Sequence, residues 1–194
     1  MAIFTIGKRM DESKETYDTI YYPHVEDFIR LVHYCYDKCV WWDYHLIYRL
    51  GIDSMIDQML YLQNFTGKKL NTRAIHYILS VEYDELRRKD KHEEAKDICR
   101  WLNIWCLREH QHMTFLHHDK WGRYDIHIIA NPVNYYTLKK YHCSKNDLNN
   151  MIREIAEVLY YEAAIAIQGY SYITKGGRLK FGKADDIYQN IQIE

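Results

Sequence analysis

The side chains that could bind a metal ion are concentrated in two neighbouring stretches of the sequence. The first stretch ends in His117, His118 and Asp119, and the second contains Asp125 and His127. Imidazole and carboxylate groups in combination suit a divalent cation such as manganese, magnesium or zinc, with water or a substrate oxygen completing its coordination. The residue types therefore predict a divalent-metal site.

The two stretches have the pattern of a β-hairpin. Residues 113–119 and 125–131 read as strands on either side of a five-residue turn. If Asp119 pairs with Asp125 across this turn, His117 lies directly opposite His127, and the two side chains start about 5 Å apart. A turn one residue shorter or longer would place His118 on that face instead, so the sequence leaves the choice between the two histidines open.

Side chains of the second strand alternate between a polar face and an apolar face. Asp125, His127 and Asn131 share one face, whereas Ile126 and Ile128 lie on the other. The chain contains 11 histidines, and two of them on a hairpin can also be ordinary surface or hydrogen-bonded core residues. Polar residues at alternate positions of an otherwise apolar strand are costly unless their groups are satisfied, which favours a functional site here.

The remaining segments predict an α/β (α+β) domain with a central, mainly antiparallel sheet and flanking helices. Helical spacing of apolar residues predicts helices over 25–39, 95–106 and 144–159, and period-two alternation predicts a strand over 75–82. We further expect an opening strand over 2–6, an acidic surface loop after it, one or two irregular helices within 41–66, and a last hairpin with strands over 170–174 and 178–181. All 194 residues are expected to form a single domain.

Composition limits the class of protein. Hydrophobic residues make up 47% of the chain and charged residues 27%, with only 2 prolines and 8 glycines, which is typical of an ordered globular domain. The apolar stretches are too short to cross a membrane and no signal-peptide pattern follows the amino terminus, so we expect a cytoplasmic protein with no membrane partner. The 5 cysteines include no Cys-x-x-Cys pair and are expected to be reduced packing residues.

A formal net charge of -1 provides no overall attraction for nucleic acid. Any contact with DNA phosphates must therefore come from local clusters of basic residues. A single cluster of this kind is more often an ordinary solvated surface, but two clusters are candidates: Lys68, Lys69 and Arg73 in one, and Lys175, Arg178, Lys180 and Lys183 in the other.

The hairpin residues resemble the relaxases that mobilise plasmids and integrative elements, within the wider class of HUH endonucleases. That family carries His-x-Asp, a short loop, and then His-hydrophobic-His with an apolar run ending in Asn. The corresponding residues here are 117–119 and 125–131, but Asp125 stands where the family has the first histidine of its pair. The strand from Arg73 to Ser80 and the segments after the hairpin also fit, so the resemblance covers nearly the whole chain.

The resemblance implies a metal-dependent enzyme that nicks one strand of single-stranded or supercoiled DNA at an origin of transfer, with accessory transfer proteins as partners. The implied metal ligands are His117 or His118, Asp125 and His127. Asp119 would accept a hydrogen bond from a ligand histidine, and Asn131 would support the site. Glu82 or Glu85 would act as the base.

The family's amino-terminal helix supplies a nucleophilic tyrosine, and the segment 31–38 is similar to that helix. Tyr34 is the matching residue among the 19 tyrosines of the chain. Helical spacing places Tyr34 on the face of Arg30 and Lys38, whose charges could hold a phosphate, whereas Tyr36 lies on the apolar stripe. The implied product is a 5'-phosphotyrosine and a free 3'-hydroxyl, formed without a nucleotide cofactor.

Three other functions are compatible with the same residues. A replication initiator or a transposase nickase would use the same chemistry on a different DNA site. A relaxase-like protein whose altered site no longer cuts would bind DNA only, and Asp125 and the near-neutral charge give that alternative some weight. A small metal-dependent hydrolase would cleave phosphodiesters without a covalent adduct.

Overall fold

The computed structural model describes residues 3–6, 8–11, 16–19, 22–81, 86, 88–105, 107–120, 122–142, 166–167, 171–173 and 179–180. Its helices are α1 (Val25–Lys38), α2 (Ile52–Phe65) and α3 (Lys91–Trp105). Its strands are β1 (Ile3–Ile6), β2 (Lys8–Asp11), β3 (Thr16–Thr19), β4 (Trp41–His45), β5 (Ile75–Val81), β6 (His110–His118), β7 (Tyr124–Asn134), β8 (Ala166–Ile167), β9 (Ser171–Ile173) and β10 (Leu179–Lys180).

One large sheet organises the described part of the chain, with the strand order β10-β9-β8-β1-β5-β7-β6-β4. Strand β1 pairs in parallel with β8, and the other described neighbours in this sheet pair antiparallel. The long strand β7 lies between β5 and β6, so residues from three different parts of the sequence meet around it. The predicted α+β class with a mainly antiparallel sheet is confirmed.

Each face of the sheet buries its own apolar cluster. On one face, Leu79 and Ile128 pack in a cluster with Leu102 of α3. On the other face, Phe115 and Ile129 pack in a cluster that includes residues of α1 and α2. Because side chains alternate along each strand, consecutive residues of β7 belong to opposite faces. The strand is therefore buried on both sides, which makes its polar residues conspicuous.

Helix α1 presents a narrow apolar stripe to the sheet. Phe28, Val32 and Cys35 are its buried residues, at the i, i+4 and i+7 spacing of one helix face. The acidic residues Glu26 and Asp27 lie in its first turn and complement the positive end of the helix dipole. This packing fixes which face of α1 remains open to the solvent.

Two segments differ from the sequence prediction. Trp41–His45 was expected to be helical but forms an edge strand against β6, because its aromatic side chains suit a half-buried pleated surface. The acidic stretch expected as a loop contains β2 and β3, which pair with each other in a separate two-stranded sheet. Threonine and tyrosine in β3 favour an extended backbone despite the polar composition.

The other predicted elements agree with the structure to within a few residues at their ends, apart from the helix expected over 144–159, which lies outside the described residues. Helix α1, strand β5, helix α3 and the β6–β7 hairpin were all predicted. The last hairpin is present as the antiparallel pair β9 and β10.

Candidate active site

The turn of the β6–β7 hairpin begins and ends one residue earlier than predicted. His118 pairs with Tyr124, and the five-residue connection is therefore 119–123 and not 120–124. His117 lies opposite Asp125, and Phe115 is the residue directly opposite His127. The prediction that His117 and His127 are directly opposite is wrong. The turn still has five residues, however, so His117, Asp125 and His127 share one face of the sheet, as predicted.

This register decides between the two upstream histidines. The ring of His118 lies on the other face of the hairpin, stacked on Tyr124 with ring centroids 4.4 Å apart. The ring of His117 lies 4.3 Å from that of His127, centroid to centroid. The structure thus brings His117 to His127 and separates His118 from both.

A third imidazole joins these two from β5. His76 Nε2 lies 3.0 Å from His127 Nδ1, and the two rings stack with centroids 5.2 Å apart. Strand pairing explains this contact: Ile78 is directly opposite His127, so His76 is its diagonal neighbour on the same face. We refer to His76, His117 and His127 as the imidazole cluster.

Hydrogen bonds determine which ring nitrogens of the cluster are available. His117 Nε2 donates to the backbone carbonyl of Cys35 at 2.8 Å. Because a carbonyl oxygen can only accept, the proton of the neutral ring is on Nε2 and the lone pair is on Nδ1. On the far side of the cluster, the Tyr22 hydroxyl lies 3.0 Å from His76 Nδ1. Each outer ring of the cluster is therefore anchored to a different part of the chain.

The interior location keeps all three imidazoles uncharged. Burial lowers the pKa of His127 to about 2, and the neighbouring imidazoles of His76 and His117 act in the same direction. Burial, with His117 as a second cause, lowers the pKa of His76 to about 4. Burial also lowers the pKa of His117. Only a neutral imidazole has a lone pair for a cation, so the cluster is in the protonation state that metal binding requires.

The carboxylates near the cluster have other contacts. Asp125 accepts a hydrogen bond from the Ser80 hydroxyl, and its carboxylate lies 3.2 Å from Arg123 Nε. Asp119 accepts a hydrogen bond from the Arg123 backbone N–H at 2.9 Å, so it closes the turn. The Asp119 carboxylate also lies 3.5 Å from Arg123 Nε, a second contact with the residue that ends the turn.

Tyr34 lies on the open face of α1, beside the cluster. Its side chain is 52% exposed, and its ring makes an edge contact with His117 at a centroid distance of 6.4 Å. The Lys38 ammonium nitrogen lies 4.0 Å from the centre of the Tyr34 ring. Arg30 instead forms an ion pair with Asp27 at 2.8 Å. An exposed phenol and a lysine thus lie beside His117, the half-buried member of the imidazole cluster.

Asn131 lies deeper in the sheet and is fully buried. Its amide nitrogen donates to the Met59 carbonyl at 2.9 Å and to Gln111 Oε1 at 3.0 Å. Its amide oxygen accepts from the Val133 backbone N–H at 3.0 Å. It is four residues beyond His127 on the same strand, roughly 13 Å away. The structure therefore places Asn131 in the attachment of α2 to the sheet and not beside the imidazole cluster.

The remaining predicted site residues lie elsewhere or cannot be placed. Arg73 bonds to Gln63 on α2, while Lys68 and Lys69 are exposed just after that helix. Lys180 belongs to β10. The predicted base candidates Glu82 and Glu85 and the basic residues Lys175, Arg178 and Lys183 lie outside the described residues.

Sequence reasoning missed His76 and Cys35. One donor atom each from Cys35, His76 and His127 lie within 4.8 Å of one another, and all three residues are buried. His76 had the same signal as His127, a polar residue at an alternate position of an apolar strand. Nothing in the sequence, however, placed β5 beside β7 or the third turn of α1 above them. The donor set suits a transition metal, because neutral imidazoles are the ligands that such cations favour.

Comparison with known families agrees with this geometry. Residues 37–161, more than half of the chain, match the model of the relaxase family described as MobA/VirD2-like, nuclease domain. The chain therefore belongs to this relaxase family, whose members nick DNA and are generally metal-dependent. No curated protein and no solved structure matches the chain with statistical support.

The matched residues include β5 and the whole β6–β7 hairpin, and hence every member of the imidazole cluster. Tyr34 lies three residues before the start of the match. Among the described residues, no helix is both long enough and apolar enough to span a membrane.

Proposed function

We propose that this domain nicks one strand of DNA at an origin of transfer through attack of the Tyr34 hydroxyl on a phosphodiester. One observation carries the proposal: the exposed Tyr34 ring lies 6.4 Å, centroid to centroid, from the half-buried ring of His117, a member of the cluster of neutral histidines. A phenol beside a potential metal site is the pair of groups that metal-assisted transesterification requires.

The metal ligands in this proposal are His117 through Nδ1, His127 through Nε2, and the Asp125 carboxylate. Among the described residues, neither of these two ring nitrogens has a hydrogen-bond partner of its own. The closely spaced donors of Cys35 and His76 are left out, because burial keeps the Cys35 thiol protonated by raising its pKa to about 12, and both ring nitrogens of His76 already contact His127 and Tyr22. When bound, a divalent metal would neutralise charge on the scissile phosphate. Two imidazoles and one carboxylate suit manganese or zinc, whereas magnesium prefers a shell made of oxygen atoms.

The protein groups account for the remaining chemistry. Tyr34 Oη forms a bond to phosphorus as the bond from phosphorus to the 3'-oxygen breaks, and the proton lost by the phenol is balanced by one gained at the 3'-hydroxyl. Lys38, whose ammonium lies over the Tyr34 ring, provides positive charge for a phosphate oxygen. Because the phosphodiester energy is kept in the phosphotyrosine, the 3'-hydroxyl can reverse the step and rejoin the strand. Such reversibility is what strand transfer in conjugation needs.

The test is detection of the covalent adduct. The protein is incubated with manganese and a labelled single-stranded oligonucleotide that contains its origin sequence, and a protein–DNA band is sought on a denaturing gel. We expect Tyr34→Phe to abolish the adduct and Tyr36→Phe, which removes a hydroxyl from the neighbouring tyrosine packed on Trp42, to preserve it. An adduct of undiminished yield in Tyr34→Phe would contradict the assignment of the nucleophile.

One observation favours a second candidate, a relaxase-like protein that binds origin DNA without cutting it. The Asp125 carboxylate is already engaged by Ser80 and Arg123, which weakens it as a metal ligand. This function predicts specific binding of origin DNA by the wild-type protein with no adduct in manganese or zinc. Substitution Asp125→His, which restores the family pattern, would then produce nicking.

A further inference from the structure

A groove with an aromatic lining lies on the outer side of α2. It has a volume of about 790 Å³ and is bordered by the loop after β4 and the turn after β7. The rings of Tyr48, Tyr61, Phe65 and Tyr135 line it, and their exposed fractions range from 40% for Tyr135 to 78% for Tyr48. Large rings left in water are unfavourable unless they have a partner, so such a concentration marks a recognition surface.

Helix α2 is built to present these rings outward. Its buried residues Met55, Ile56 and Met59 face the sheet, which leaves Tyr61 and Phe65 on the opposite side. These two are four residues apart and their rings stack, with centroids 6.2 Å apart and planes 24° from parallel. We refer to this pair of nearly parallel rings as the Tyr61–Phe65 platform.

The opposite wall of the groove is held in place by hydrogen bonds. The Gln58 side chain of α2 accepts from the Tyr48 backbone N–H at 2.8 Å and donates to the Tyr48 carbonyl at 2.9 Å. Gln111 donates to the Leu46 carbonyl at 3.2 Å. The loop is thereby attached to both α2 and β6, so the groove is already formed and ligand binding would require little further ordering of this loop.

Exposed lysines surround one end of the groove. Lys68 donates to the carbonyl of Leu138, a residue of the groove lining, at 2.6 Å. Lys140 donates to the carbonyl of Lys69, so two basic stretches far apart in the sequence converge there. Lys139 adds a further exposed ammonium. The acidic residue of the lining, Asp57, lies four residues before Tyr61 on α2, toward the other end of the groove. The lysines would not stabilise a purely apolar partner, whereas a polyanion with flat apolar groups would match both the rings and the basic end.

We propose that this groove binds unpaired bases of the DNA strand, by stacking them on the Tyr61–Phe65 platform while Lys68 and Lys140 contact the neighbouring phosphates. Sequence-tolerant stacking on aromatic side chains, flanked by cations, is how proteins hold single strands. The inference rests on the proposed function for the identity of the ligand. It assigns to Lys68 of the first basic cluster, together with Lys140, a role at the groove.

The experiment measures DNA affinity without the nicking reaction. In a Tyr34→Phe background with a chelator present, binding of a fluorescent single-stranded oligonucleotide is followed by anisotropy. Stacking on an aromatic ring contributes about 1–3 kcal/mol per base, so Tyr61→Ala with Phe65→Ala should weaken binding by at least about tenfold. Substitution Tyr136→Ala is the matched control, because Tyr136 is 65% exposed beside the groove but does not line it.

The lysines and the alternative occupants are tested in the same system. Lys68→Ala with Lys140→Ala should reduce the dependence of affinity on salt concentration. Unchanged affinity in the Tyr61 and Phe65 double variant, with the parent binding the oligonucleotide, would overturn the groove proposal and leave the relaxase proposal standing. Failure of the parent to bind single-stranded DNA would overturn both. Conversion of a dimer to a monomer by the double variant, seen by sedimentation, would identify the groove as an interface between copies and also overturn the proposal.

Discussion

Removing His76 tests how the imidazole cluster is organised. For His127 to offer Nε2 to a metal, its proton must be on Nδ1, and His76 Nε2 is the acceptor 3.0 Å away. His76 then carries its own proton on Nδ1 and donates to the Tyr22 oxygen. We therefore expect His76 to be a positioning residue that fixes the tautomer and the ring orientation of His127 without binding the metal.

The magnitude follows from these contacts. Loss of the group that orients a ligand histidine typically weakens metal binding by about 10- to 100-fold, or about 1.4–2.7 kcal/mol. His76→Ala also leaves the buried Nδ1–H of His127 without its acceptor, which should lower the stability of the metal-free protein by about 1–3 kcal/mol. Tyr22→Phe removes only the far hydroxyl, so its effect on manganese affinity should be smaller than that of His76→Ala.

Titration calorimetry with manganese gives the affinity, and urea denaturation with and without the metal gives the stability. His76→Gln is the control, because its amide oxygen can replace the acceptor, and part of the lost affinity should return. The reasoning is refuted if His76→Ala folds and binds manganese within twofold of the wild type while His127→Ala does not bind it. Loss of affinity in His76→Ala with a cobalt spectrum showing one fewer nitrogen ligand would make His76 a ligand instead.

Two further predictions concern residues around the site. Asn131→Ala should lower the free energy of unfolding by about 3 kcal/mol, because its three buried partners, Met59, Gln111 and Val133, each lose a hydrogen bond. Urea denaturation should show this loss, while calorimetry should show unchanged manganese affinity. A large loss of affinity without loss of stability would contradict this prediction. Burial raises the pKa of the Cys35 thiol to about 12 and that of Cys99 well above its usual value, so both thiols should resist alkylation at neutral pH until the protein unfolds. Peptide mapping after brief exposure to iodoacetamide checks this, and modification of either thiol in folded protein would show that its environment is more open.

The sequence by itself determined most of the local structure around the site. Apolar residues at helical spacing predicted α1 and α3, and strict alternation predicted β5, because burial of one face imposes these periods on any sequence that folds this way. The hairpin motif with Asp125, His127 and Asn131 indicated the relaxase family, and the family match confirmed it. Pattern also placed Tyr34 on the polar face of its helix, where it is exposed.

Only the tertiary structure decided which side chains meet. The hairpin turn lies one residue earlier than predicted but keeps five residues, and this length places His117, not His118, on the face of His127. His76 lies in the cluster because β5 pairs with β7. This pairing brings His76 into contact with His127, which is 51 positions later in the sequence. Asn131, expected near the metal, instead attaches α2 to the sheet. Sequence periodicity reports which face of an element is buried, but pairing between distant strands depends on how the buried faces of all the elements fit together.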